Sequence, residues 1–152
     1  MKNFIFAFIL FALLLTANAA PFQLNKRATT TFGPCNTTDP VDLLNVDIGT
    51  DPPVSGKDET FYVSGEMTKL DIAPFTILMI NYYDTEGNSF NASFRDFGKT
   101  IKAGIQFLKV ITDPAPNLPD KYEIRVTVES CTDTANCGAL HVFACASANF
   151  GG

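Results

Sequence analysis

Between Asp120 and Ser130 the chain reads DKYEIRVTVES. Tyr122, Ile124, Val126 and Val128 alternate with Glu123, Arg125, Thr127 and Glu129 without a break. Successive side chains of an extended strand point to opposite faces. The stretch therefore predicts a strand with one dry face and one solvated face. The dry face needs an apolar surface to lie against, and that requirement limits what the rest of the chain can build. A proline-rich turn, 113–120, precedes the strand, and a cysteine-flanked loop follows it.

Similar segments occur along the chain. Leu43 to Ile48 places Leu44, Val46 and Ile48 on one side. Thr60 to Thr68 sets Phe61, Val63 and Met67 against Tyr62, Ser64, Glu66 and Thr68. Gly65 falls on its apolar side, a position that marks a bulge or a close approach of backbone or ligand. Pro74 to Tyr83 is apolar on both parities, including Leu78 and Ile80, and predicts a central strand. Ser89 to Arg95 sets Phe90, Ala92 and Phe94 opposite Asn91, Ser93 and Arg95, with the aromatic set expected inward. Lys102 to Thr112 carries Ile105, Phe107 and Ile111 on one parity, and Ala139 to Ser147 reads as a last strand. Turn signals such as Asp51-Pro52-Pro53 and Asp84-Thr85-Glu86-Gly87-Asn88 separate these runs, and none has a sustained helical period. About seven short strands predict an all-β fold, an immunoglobulin-like antiparallel β-sandwich. Tyr122 stands where such sandwiches often keep a corner tyrosine.

The first residues predict a leader. Lys2 precedes an apolar run of 12 residues, Phe4 to Leu15, and Ala17-Asn18-Ala19 has the small-x-small form of a signal-peptidase site. A bilayer span needs about 20 apolar residues. Residues 1–19 are thus read as a signal peptide. Residues 20–27 are read as a short propeptide ending at the dibasic pair Lys26-Arg27, and 28–152 as one domain. Removing Lys2, Lys26 and Arg27 leaves eight basic residues against 16 acidic ones, a net charge of −8. A surface of that sign disfavours nucleic acid and anionic membranes, so at most transient membrane contact is expected.

Behind a signal peptide, four cysteines read as two disulfides. Of the three pairings, Cys131–Cys137 suits a clip across one loop, and Cys35–Cys145 ties the first segment to the last strand. Asn36-Thr37-Thr38 and Asn91-Ala92-Ser93 make Asn36 and Asn91 glycosylation acceptors. No catalytic constellation is evident. His141 is the only histidine, the cysteines are expected to be oxidised, and no Gly-x-Ser-x-Gly elbow occurs. Acidic pairs such as Asp58-Glu59 flank turns, as solvated edges do. The chain is read as a non-enzyme without cofactor or metal. Phenylalanine is abundant, with 14 in the sequence, of which Phe4, Phe6, Phe8, Phe11 and Phe22 lie in the leader. The remaining nine either pack an ordinary core or line a cavity between the sheets.

Several segments carry a family resemblance. They are Phe32-Gly33-Pro34-Cys35, Val46-Asp47-Ile48-Gly49-Thr50-Asp51-Pro52-Pro53, Phe61-Tyr62-Val63-Ser64-Gly65, Ala103-Gly104, Leu118-Pro119-Asp120-Lys121-Tyr122-Glu123-Ile124 and Phe143-Ala144-Cys145-Ala146. Over most of residues 32–150 the chain resembles the ML lipid-recognition domains. Within them it is most similar to the small secreted fungal phosphatidylglycerol/phosphatidylinositol transfer proteins. The resemblance implies a lipid cavity between the sheets and supports the pairing Cys35–Cys145. It implies a secreted, monomeric carrier of one phospholipid, fatty acid or sterol, with an endosomal or vacuolar lumen as another location. The implied lining is Phe61, Val63, Met67, Leu78, Ile80, Phe94, Phe107, Tyr122, Ile124 and Val126, with Lys69 and Lys102 near the headgroup. The chain departs from the family pattern in lacking the cysteine pairs that many relatives carry earlier in the sequence. A secreted interaction module or effector without a cavity is the competing expectation.

Overall fold

The computed structural model describes residues 30–131 and 140–151. The leader, the propeptide and Cys137 with its clip to Cys131 lie outside the described residues. Among the described residues eight strands form two sheets: β1 (Asp42–Leu43), β2 (Asn45–Ile48), β3 (Asp58–Glu66), β4 (Ile77–Tyr83), β5 (Ser89–Asp96), β6 (Gln106–Pro114), β7 (Tyr122–Cys131) and β8 (Leu140–Phe150). One sheet has the order β1-β8-β7-β4-β5, the other β2-β3-β6. The fold is an all-β sandwich, as the alternation predicts. All pairings are antiparallel except β1 with β8, which run parallel.

The single first strand expected from Leu43 to Ile48 is two. The chain leaves the five-stranded sheet after Leu43 and enters the three-stranded one at Asn45. Leu44 sits at the crossing, buried, its N–H bonded to the Cys145 carbonyl. β7, the strand with the unbroken alternation, is the middle of its sheet.

The core follows from cross-strand register. Directly opposed residues of antiparallel strands share a face. Across β4, β7 and β8 this gives three rows: Leu78–Val128–Ala144, Ile80–Val126–Ala146 and Tyr82–Ile124–Ala148. All nine residues are buried. The other sheet answers with Phe61, Val63, Phe107 and Ile111. Gly65 lies in an uninterrupted part of the β3–β6 ladder, so it marks no bulge. Its place is a close approach, since a Cβ there would stand 3.0 Å from Leu44 and 3.4 Å from Phe107.

The N-terminal segment is fastened to β8. Gly33 and Ser147 exchange two backbone hydrogen bonds, and the Cys35–Cys145 disulfide forms as expected. Phe32 meets Phe150 edge-on, and Phe150 stacks on Tyr122 with centroids 4.9 Å apart. Cys145 lies opposite Thr127 on the outer face of the sheet. The wet face of β7 is accordingly not solvated throughout. Thr127 and Glu129 are buried, with the Thr127 hydroxyl donating to the Glu129 carboxylate at 2.5 Å.

Candidate functional site

Nine of the ten expected lining residues converge. Phe61, Val63, Met67, Leu78, Ile80, Phe107, Tyr122, Ile124 and Val126 belong to one buried cluster between the sheets. Val63, Leu78, Ile80, Ile124 and Val126 have 0% exposure, so no water-sized space lies against them and the two inner faces meet in contact. The tenth, Phe94, is a correction. It is 61% exposed, opposite Met79 on the outer parity of β5. Phe90 is also partly exposed, at the register shift between β4 and β5, and leans on Tyr82 with centroids 6.2 Å apart. Asn91, Ser93 and Arg95 oppose Tyr82, Ile80 and Leu78 and so take the inner parity. The acceptor Asn91 is therefore half-buried on the inner side of an edge strand, while Asn36 is exposed.

The physical reason is what β5 faces. It is the edge strand nearest β6, the edge of the other sheet. Arg95 reaches across to Asp113, Nη2 to Oδ1 2.6 Å. The Lys109 ammonium donates to the Asp96 carbonyl and lies 5.1 Å over the Phe97 ring. Arg95 points inward on β5 because its charge partner stands on β6. This side of the sandwich is held by side chains, while the Leu44 side is held by the chain itself.

Below that latch a groove of about 490 Å³ opens. Its floor is Phe97 and Phe107, packed edge-to-face with centroids 5.2 Å apart. Ile101, Ile105 and Leu108 line its walls, and Lys99, Lys102 and Lys109 stand around it. Two loops frame this end. Loop 67–76 runs from β3 to β4, and loop 97–105 from β5 to β6. They are zipped together by paired hydrogen bonds between Ile72 and Ile101 and by the Gly104 N–H to the Met67 carbonyl. The Asp71 carboxylate accepts from Lys102 Nζ at 2.6 Å and from the Ala103 N–H. The Lys102 hydrogen bond, then the Ala103 N–H, hold Asp71 below the usual carboxylate range. Lys102, expected near a headgroup, thus lines this groove. Lys69 lines a second one of about 520 Å³ with Asp39, Asp42, Met67, Leu70 and His141. His141 itself is exposed, its ring 5.3 Å from Phe143. Among the described residues no three His, Cys, Asp or Glu side chains converge as metal ligands.

The opposite end holds a feature that sequence reasoning missed. Glu59, read as part of a solvated edge, is 1% exposed. Its Oε1 accepts from the Thr50 and Thr60 N–H groups at 3.0 and 2.9 Å, and its Oε2 has no partner. Asp113, directly opposite on β6, likewise has an unpartnered Oδ2. The signal was parity: Glu59 is two residues before Phe61 on the inward set. Burial, and then the nearby Glu59 carboxylate, push up the Tyr82 hydroxyl pKa. Burial, followed by the Asp51 and Glu59 charges, pushes Tyr122 up to about 12. Replacing Glu59 with Gln keeps the acceptor for Thr50 and Thr60 and puts an amide donor in place of Oε2, beside Asp113. Glu59→Gln is expected to raise stability by about 1 to 2 kcal/mol, read as a higher melting temperature near neutral pH. A lower one would show that the introduced amide finds no acceptor in the buried site.

No family model matches the chain, and no curated protein matches it.

Proposed function

We propose that the chain is a secreted lipid-binding protein that carries the apolar part of one phospholipid, fatty acid or sterol between its two sheets. The observation that carries this reading is the groove at the β5–β6 side, whose floor is the Phe97–Phe107 pair of the core itself. An acyl chain entering there meets the Phe97–Phe107 pair first, and the apolar interface lies behind the Arg95–Asp113 and Lys109 contacts. Breaking the Arg95–Asp113 pair and moving Lys109 aside frees the two edges. Each buried methylene contributes about 0.8 kcal/mol. A 16-carbon chain thus supplies on the order of 12 kcal/mol against the work of parting the sheets. No covalent chemistry is required. A disulfide-bonded β-domain suits an oxidising, extracellular setting.

The test is native mass spectrometry of the purified protein, then solvent extraction and uptake of a fluorescent fatty acid. A co-purified lipid or saturable uptake supports the reading. Val126→Phe enlarges a 0%-exposed residue at the centre of the inner face. It is expected to cost about 1 to 3 kcal/mol in stability and to reduce uptake while the fold survives. Uptake equal to wild type would place the ligand away from this face. A protein that carries no lipid and takes none up would overturn the proposal.

A second reading, a secreted interaction module, draws on the outer face of the three-stranded sheet. Tyr62 and Val110 are opposed there, 45% and 51% exposed, and Leu108 beside them is 70% exposed. Capture of a protein or glycan partner, unchanged by delipidation and lost in Tyr62→Ser, would favour it.

A further inference from the structure

Two buried carboxylate oxygens lie opposite each other where β3 begins and β6 ends. Glu59 is 1% exposed, and among the described residues its Oε2 has no hydrogen-bond partner. Asp113 is its direct cross-strand neighbour on β6, and the buried Oδ2 of that residue has none either. Opposed residues of an antiparallel pair hold their Cβ atoms about 5 Å apart on one face, so the two oxygens belong to one site. Burial, then Glu59, Tyr122 and Asp113, push the Tyr82 hydroxyl up, which puts both carboxylates within range of one buried ring. A buried oxygen left without a donor costs stability. In a native fold it marks a place where a donor arrives.

The groups around the pair decide what kind of donor fits. Arg95 of β5 holds Asp113 Oδ1 at 2.6 Å. Lys109, on the same face of β6, donates to the Asp96 carbonyl and lies over Phe97. Asp51 accepts from the N–H and the hydroxyl of Thr30. Tyr82 and Tyr122, whose hydroxyls burial pushes up, stay neutral. Two negative charges thus stand against the one positive charge of Arg95, and one cationic group balances the site. A primary ammonium brings three donors and a single charge. A hydroxyl brings one donor and no charge, and a carboxylate would add a third negative charge to a buried site. The pair also stands at the end of an apolar path. Phe61 and Ile111 come next on the inner faces, and Phe107 lies six residues from Asp113 on the same parity of β6, about 20 Å along the strand. One acyl chain covers about 15 Å, half of a bilayer core.

We infer that Glu59 Oε2 and Asp113 Oδ2 receive the primary ammonium of a single-chain lipid, a long-chain amine, whose tail runs along β6 to the Phe97–Phe107 floor. This assignment rests on lipid carriage between the sheets and names the class of lipid carried. Arg95 opens the β5–β6 side for entry and closes on Asp113 Oδ1 again behind the ligand. Glu59→Gln, expected to stabilise the ligand-free fold, removes the charge that the head needs. Glu59 therefore costs stability in one state and supplies binding in the other.

The experiment is a titration of the mature, oxidised chain near neutral pH with hexadecylamine, hexadecanol and palmitate, each below its micellar concentration, read by native mass spectrometry. One hexadecylammonium per chain is expected, bound about tenfold more tightly than hexadecanol, with palmitate the weakest of the three. Glu59→Gln is expected to bring the ammonium within about threefold of hexadecanol and to leave hexadecanol binding unchanged. Glu86→Gln, which neutralises an exposed acid in the β4–β5 turn, is expected to keep the preference. A loss equal to that of Glu59→Gln would mean attraction by the acidic surface at large and would overturn the assignment. So would equal binding of the three ligands, or a preference for palmitate, and either result leaves carriage standing. A chain that takes up none of the three overturns carriage and this assignment together.

Discussion

Replacing Cys35 and Cys145 together with serine lowers the stability of the domain by about 4 to 5 kcal/mol. The bridge spans a sequence separation of 110 residues, and in the chain-entropy view a loop of that length is worth that much to the folded state. The native cost adds to it, because Cys145 is 1% exposed and a serine hydroxyl there needs a partner. The N-terminal segment depends on the same bond, which acts with the Gly33–Ser147 exchange, Phe32 and the short β1 to hold it to β8. The measurement is urea unfolding of wild type and the double variant. The midpoint falls, and the slope steepens, because the unlinked chain exposes more surface when it unfolds. A loss below 1 kcal/mol would show that the denatured state is already compact across the two ends.

Ile124→Ala produces the second large effect, a loss of about 2 to 5 kcal/mol. Ile124 has 0% exposure and sits between Tyr82 on β4 and Ala148 on β8. One flanking residue is already an alanine and cannot swing into the void. The other is an aromatic ring in contact with Phe90. The site therefore collapses poorly, which places the cost toward the upper part of the range. The readout is again the urea midpoint, with an unchanged slope. A loss under 1 kcal/mol would mean that the two sheets close over the missing atoms.

Where one face of a strand meets protein and the other meets water, the alternation read the fold well. β3 and the dry face of β7 follow it residue by residue, from Phe61 and Val63 to Ile124 and Val126. β5 defeated the same logic. Phe90, Ala92 and Phe94 alternate as cleanly as any buried set, yet Phe94 lies outside. The inward choice there is decided by Asp113 and Lys109 of β6, which are remote in sequence and invisible to periodicity. Glu59 fails the opposite way: its parity pointed inward, and its charge argued for water. The groove was legible only in part. Phe107 and Lys102 were singled out, but Phe97 and the pairing of the two loops depend on the Ile72–Ile101 bridge, which no local pattern announces.

The reversed phase of β5 has one more consequence, for self-association. β5 and β6 both end their sheets, so each offers an unpaired row of backbone groups. Exposed Phe94 lies along one and Leu108 and Val110 along the other, an arrangement that invites stacking of one molecule's edge on the next. Charges turned inward on edge strands oppose such stacking, because an added strand would strip them of water. Arg95, Lys109 and Asp113 stand in that position. The residues that clasp the sandwich shut also keep its edges from growing into fibrils, so a variant with Arg95 and Lys109 neutralised would lose solubility before it lost its fold.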